Sequence, residues 1–175
     1  MKASNPQMSV PKVALNMYET ENDISQQRRS ELSVLLNRRL ADAIDLQLQL
    51  KQAHWNVKGP HFIGLHELFD KIAEEVETYV DEIAERIVQL GGIAQGTVRA
   101  AAARSRLEEY PPTIADGLAH VEAVAKALST FGREARVSIE EANALDDADS
   151  RMAARLSSHV ERNRNLTIAL MKKEE

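Results

Sequence analysis

The chain contains no cysteine. That excludes a disulfide framework and a thiolate metal site, so any bound metal must be held by His, Asp, Glu or water. Aromatic residues make up only 4 % of 175 positions, with seven glycines and five prolines. An excess of Ala, Leu, Glu, Arg and Ile over such residues suits one mostly helical domain with a real core. No stretch approaches the ~20 apolar residues that span a bilayer. No charged segment followed by an apolar run opens the chain, so we expect a soluble, cytoplasmic protein without a membrane partner.

Charge is present but uneven. Residues 30–149 carry twelve basic and twenty-one acidic groups, whereas 150–175 carry six basic and three acidic. An acidic body attracts cations and repels phosphate backbones, which leaves any nucleic-acid contact to the chain ends.

Residues 1–24 lack periodicity and contain Pro6 and Pro11, which reads as a flexible N-terminal arm. Residues 25–175 read as the folded domain. A first helix is expected from near Ser25 or Ser30 to about Val57, with Leu32, Leu35, Leu36, Leu40, Ala43, Ile44, Leu48 and Leu50 as its apolar set. Lys58-Gly59-Pro60 stops it. A second helix runs from about Ile63 to Leu90 and ends at Gly91-Gly92. Residues 93–112 form a long connection in which Thr97–Arg104 suits a short helix. A third long helix is expected from Thr113 to Asn143 with Leu118, Val121, Val124, Leu128, Phe131, Ala135 and Ile139 inward. A fourth starts at Asp146 or Asp147, either able to cap it, and carries Met152, Leu156, Val160 and Leu166. Four long helices with one long connection between the second and third make an all-α, ferritin-like four-helix bundle, the connection letting those two helices run parallel.

The chemistry concentrates between Lys51 and Gly92. At ~100° per residue, Leu65, Phe69, Ile72, Val76, Tyr79, Ile83, Ile87 and Leu90 gather on one face of the second helix. A second stripe is formed by His66, Asp70, Glu74, Glu77, Asp81 and Glu85, at spacings of 4, 4, 3, 4 and 4. Such a stripe is either a solvated acidic face or a metal-binding surface. Few cations stand at i,i+4 to relieve the stacked like charges, and a His is included, both of which favour metal.

Asp70 and Asp81 are eleven residues apart, ~16 Å along a helix, so they cannot share one ion within a chain. The pairs 66/85 and 70/81, however, share one midpoint between Glu75 and Val76. Two copies crossing antiparallel there would set His66 and Asp70 of one against Asp81 and Glu85 of the other, twice over. His54, at the end of the first helix, is a further candidate ligand. His61 reads as a surface residue and His120 and His159 as structural. Asp146, Asp147 and Asp149 suit either helix capping or an entry pore.

Two segments resemble the signatures of the Dps family, the ferritin-like DNA-binding proteins from starved cells. One is His54-Trp55-Asn56-Val57-Lys58-Gly59, then Leu65-His66, then Asp70. The other is Val80-Asp81-Glu82-Ile83-Ala84-Glu85-Arg86 followed by Leu90-Gly91-Gly92-Ile93-Ala94. The likeness spans residues 30–149, including Tyr110-Pro111 and Glu141-Ala142. It implies a hollow dodecamer with ferroxidase centres at its twofold interfaces. His54, His66 and Asp70 match the iron ligands of one subunit, Asp81 and Glu85 those of its partner, and Trp55 the aromatic beside the site. It further implies a ferroxidase that oxidises Fe(II), preferably with hydrogen peroxide, and stores ferric mineral, protecting DNA from oxidative damage. The alternative is a DNA-compacting nucleoid protein with secondary iron chemistry. The chain departs from the family at His159–Glu175, which holds no Trp, Tyr or Phe, and in tails whose lysines are only Lys2, Lys12, Lys172 and Lys173.

Overall fold

The first long helix owes its burial to contacts on several sides. The computed structural model describes residues 17–143 and 147–171. In it α1 spans Gln26–Asn56, α2 Phe62–Gln89, α3 Val98–Arg104, α4 Gly117–Asn143 and α5 Asp147–Met171. The four long helices pack as a bundle, with α3 laid against α1. Leu32, Leu40, Leu46 and Leu50 of α1 are buried against Phe69, Ile72, Val76, Ile83 and Ile87 of α2 and Val124, Leu128 and Phe131 of α4. Burying each such side chain is worth about 1.5–3 kcal/mol.

Of the expected apolar sets, Leu48, Leu118 and Leu166 are close to half exposed, and Ile139 is only half-buried and outside this core. Leu48 stands about 160° around α1 from Leu32, on the far side of the helix. Leu118 and Leu166 sit at the edges of their stripes. No described helix is long and apolar enough to cross a membrane.

The end of α2 is a glycine stop. Gly91 has φ +83°, its neighbour's amide Gly92 N donates to Ile87 O at 2.9 Å, and Gly91 N donates to Val88 O at 2.8 Å. This is the helix termination that a left-handed residue permits. The buried Arg29 guanidinium completes it, donating to Leu90 O at 2.9 Å and Ile24 O at 3.1 Å. Within the expected arm, Tyr18 N donates to Gly91 O at 2.7 Å, so the segment after residue 16 lies against this end of the bundle.

The connection from α2 to α4 then climbs along α1, held by buried polar side chains. Asn37 donates to Ile93 O at 3.1 Å and accepts from Gln95 N at 2.9 Å. Asp42 accepts from Arg106 N at 2.8 Å, and Gln49 donates to Glu108 O at 3.0 Å. Asp42 is wholly buried and pairs with Arg39 at 2.8 Å. Burial raises the Asp42 pKa and lowers that of Arg39, while each opposes the other's shift. The climb delivers the start of α4 to the turn between α1 and α2, where Lys58 N donates to Ala115 O at 3.0 Å. So α2 and α4 run in the same direction, as expected from the length of the connection.

One helix start differs in detail from expectation. Helix α4 begins at Gly117 rather than Thr113, because the Asp116 carboxylate accepts from Leu118 N at 3.0 Å and Ala119 N at 3.2 Å. Asp147 is the first residue of α5, and Asp146 lies outside the described residues. Helix α5 meets α2 through a polar zipper. Glu82 pairs with Arg155 at 3.1 Å, Tyr79 with His159, and Glu75 with Asn163 at 2.9 Å.

Gly91→Ala is expected to destabilise the fold. The left-handed φ alone costs a non-glycine residue about 1–3 kcal/mol, and an added Cβ would stand 2.5 Å from Tyr18 O. Thermal unfolding should show a clearly lowered Tm; an unchanged Tm would refute this account of the α2 terminus.

Candidate metal centre

The tight turn between α1 and α2 builds the site. Val57 leaves the helix with φ −59° and ψ 139°, Gly59 adopts φ +107°, and Phe62 N donates to Gly59 O at 3.2 Å. Only glycine takes that φ readily. The turn brings the last coil of α1 beside the first of α2. His54 and His66, twelve residues apart, therefore stack with ring centroids 3.7 Å apart and planes inclined by 22°.

Each ring is held by the other's backbone. His54 Nδ1 lies 2.9 Å from His66 O, and His66 Nδ1 lies 2.8 Å from His54 O. A carbonyl oxygen only accepts, so both Nδ1 atoms carry the hydrogen. In a neutral imidazole the lone pair is then on Nε2, the tautomer in which a second hydrogen bond presents a histidine to a metal.

Asp70, one turn beyond His66, joins them. Its Oδ1 lies 3.9 Å from His54 Nδ1 and takes an ion-paired hydrogen bond from Lys51 Nζ. That Lys51 bond, followed by the charges of His54 and Lys51, holds the Asp70 carboxyl below its ordinary pKa. Asp70 and Lys51 are both about one-third exposed. The sequence reading did not single out Lys51, although it stands three residues before His54 and so on the same face of α1.

Asp81 and Glu85 lie farther along the same stripe of α2 and are exposed, as are Glu74 and Glu77. Among the described residues, no group of three or more His, Asp or Glu side chains is placed to hold one ion within the chain. The chain thus brings His54, His66 and Asp70 together and leaves Asp81 and Glu85 apart, as the ~16 Å helical separation requires.

Large apolar side chains stand exposed beside the polar residues of the turn. Trp55 and Ile63 are more than 60 % exposed, far more than large apolar groups at the edge of a core usually are. Trp55 neighbours the site in sequence, but the aromatic against His66 is Phe62, at 5.0 Å between centroids. Of the other histidines, His61 is exposed in the turn. His120 is fully buried, with Tyr110 Oη 2.6 Å from its Nδ1. His159 bonds to Tyr79.

A ferritin-like domain matches residues 34–165. The DNA protection during starvation protein of Agrobacterium fabrum is 37 % identical over 133 residues, covering 76 % of this chain and 82 % of the relative. Solved structures carry the likeness into three dimensions. Mycobacterium smegmatis Dps in a tetragonal form superposes with a TM-score of 0.83 at 32 % identity, over 87 % of this chain and 92 % of that one. DpsA14 from Streptomyces coelicolor gives 0.84 at 34 % identity, over 89 % and 92 %. By its sequence, its bundle and its relatives, this chain belongs to the Dps family of ferritin-like proteins.

Proposed function

We propose that the protein is a ferroxidase and iron-storage cage. In this reading Fe(II) is the substrate and the centre is shared between two copies of the chain. The observation that carries it is the His54–His66 lock. It leaves the lone pair of each imidazole on Nε2, with Asp70 Oδ1 3.9 Å from His54 Nδ1 and with Asp81 and Glu85 too far along α2 to join them within one chain.

A twofold crossing of α2 between Glu75 and Val76 supplies Asp81 and Glu85 of the second copy to His54, His66 and Asp70 of the first. The same crossing covers the exposed Trp55 and Ile63. Imidazole with carboxylate suits first-row divalent metals, and hard carboxylate oxygens favour the ferric product. Two ferrous ions at one centre give up two electrons. Hydrogen peroxide accepts two as its O–O bond breaks to two hydroxides, so no radical need leave. In a closed cage, which the family likeness implies is a dodecamer, the ferric product is stored as mineral. Removing iron and peroxide together protects DNA. The setting we propose is cytoplasmic.

A second reading, direct DNA compaction, is favoured only by the wording of the relatives' name. Arg155 and Arg162 of α5 are already paired with Glu82 and Glu75, and Arg164 bonds to Asn165. We therefore expect no gel retardation of duplex DNA by the intact protein at physiological salt. Strong retardation there, weakening with added salt, would favour the DNA reading.

Fe(II) mixed with peroxide should give a ferric absorbance rise held by the assembled protein. Asp81→Ala with Glu85→Ala should slow it by more than the ~10–100-fold that losing an outer-shell partner costs a metal site; unchanged kinetics would sink the assignment.

Sharing between chains has its own signature. His66→Ala and Asp81→Ala chains, each inactive alone, should regain ~25 % of the centres when co-assembled at random, because every mixed twofold pair retains one whole site. No recovery would place the ligands in one chain.

Lys51 should oppose metal binding. Lys51→Met is expected to tighten Zn(II) binding, measured calorimetrically, by ~2–5-fold, the worth of a partly exposed ion pair. Weaker binding would instead make Lys51 a support for the site.

A further inference from the structure

The interior of the bundle is not filled at one level. A cavity of about 20 Å³ lies among Leu36 and Arg39 of α1, Ile83 of α2, Ala135 and Ala142 of α4 and Met152 of α5. Its origin is a change of side-chain size along α4. Phe131 and Leu128, one and two turns before Ala135, are large and fully buried. From there on, Ala135, Ser138 and Ala142 recur at spacings of 3 and 4 and line the cavity with small side chains.

Size and chemistry restrict what the cavity can hold. One water-sized sphere needs ~10–15 Å³, so the space admits one very small molecule and excludes any ring. The lining is mostly aliphatic. Ser138 Oγ already donates to Glu134 O at 3.0 Å. Among the lining residues, the one buried polar atom without a hydrogen-bond partner is Arg39 Nε, which can only donate. The other Arg39 nitrogens face Asp42 at 2.8 Å and Glu134 at 3.4 Å, so its charge is matched and does not call for an anion. A buried water brings two donors of its own and is held by two to four hydrogen bonds. Here it would find one donor and, as acceptor, only the spare lone pair of Ser138. Dioxygen is apolar, carries no donor to satisfy, and can accept weakly from a single N–H. Met152 is the lining residue that is not fully buried, and its unbranched thioether is flexible.

We propose that this cavity is a dioxygen site inside each copy of the bundle, entered past Met152. The site goes beyond the ferroxidase reading and does not depend on it. Ile83 lines the cavity from the core face of α2, whereas Asp81 and Glu85, two residues to either side, are exposed. Dioxygen and metal would therefore be held on opposite sides of the same helix.

The test uses the full-length assembled protein with isotope-labelled methyl groups, its nuclear magnetic resonance spectra recorded under dioxygen and under argon at equal pressure. Dioxygen is paramagnetic and broadens the methyl groups it touches. Leu36 and Ile83 should broaden several-fold more than Leu50 and Ile72, which are also buried in the core but lie off the cavity. Ala142→Val, which places a larger side chain in the cavity, should bring Leu36 and Ile83 down to the level of the reference pair. Ala135→Val fills the same space from the other end and serves if Ala142→Val does not fold. Equal broadening of all four residues in the wild-type protein overturns the site. So does an excess at Leu36 and Ile83 that persists in a folded filled variant, or an ordered water bonded to Arg39 Nε in a crystal structure. None of these outcomes bears on Fe(II) oxidation, so the ferroxidase reading stands or falls separately.

Discussion

The fold depends on a backbone debt. The connection from α2 to α4 has no helix of its own for most of its length, and part-buried amides and carbonyls along it turn toward α1. Asn37, Asp42 and Gln49, buried on α1, meet them at Ile93, Gln95, Arg106 and Glu108. A buried polar backbone group without a partner costs about 1–3 kcal/mol. Placed at intervals along α1, these side chains set the path of the connection. The path returns the chain to the α1–α2 turn before α4 begins, which makes α2 and α4 parallel.

That arrangement also frames the candidate metal centre. The end of α4's lead-in, at Ala115, is bonded to Lys58, and an added Cβ on Gly117 would meet Leu65 at 2.8 Å. The turn carrying His54 and His66 is thus braced by the far end of the crossover. Within it, each imidazole is oriented by the other's carbonyl, so the two histidines fix one another's rings. Lys51 holds the Asp70 carboxyl below its ordinary pKa through its bond to Oδ1.

Much of the fold was legible because helices of this length announce themselves. The stripe from Leu65 to Leu90 is regular, Gly91-Gly92 is an unambiguous stop, and Thr97 caps the short α3, its side chain accepting from Ala100 N at 3.3 Å. Boundaries were less legible where a side chain decided them: Asp116, not the Pro111-Pro112 pair, sets the start of α4. Leu48 shows the limit of reading an apolar residue as inward, since its place around α1 outweighs its type. The buried Arg39–Asp42 pair and the bond of His159 to Tyr79 join residues whose partners are chosen by tertiary packing. Nothing in local spacing marks them.

For the candidate metal centre, the sequence by itself determined the stripe of His and carboxylate side chains on α2 and the eleven-residue gap that forbids Asp70 and Asp81 from sharing an ion in one chain. Helical rise is a local property, so spacing suffices. Only the tertiary structure decided how the histidines stand. Their stacking, their tautomer and the intrusion of Lys51 follow from two helix ends meeting across a glycine turn. Contacts between segments that distant in sequence depend on where the whole bundle places its helices.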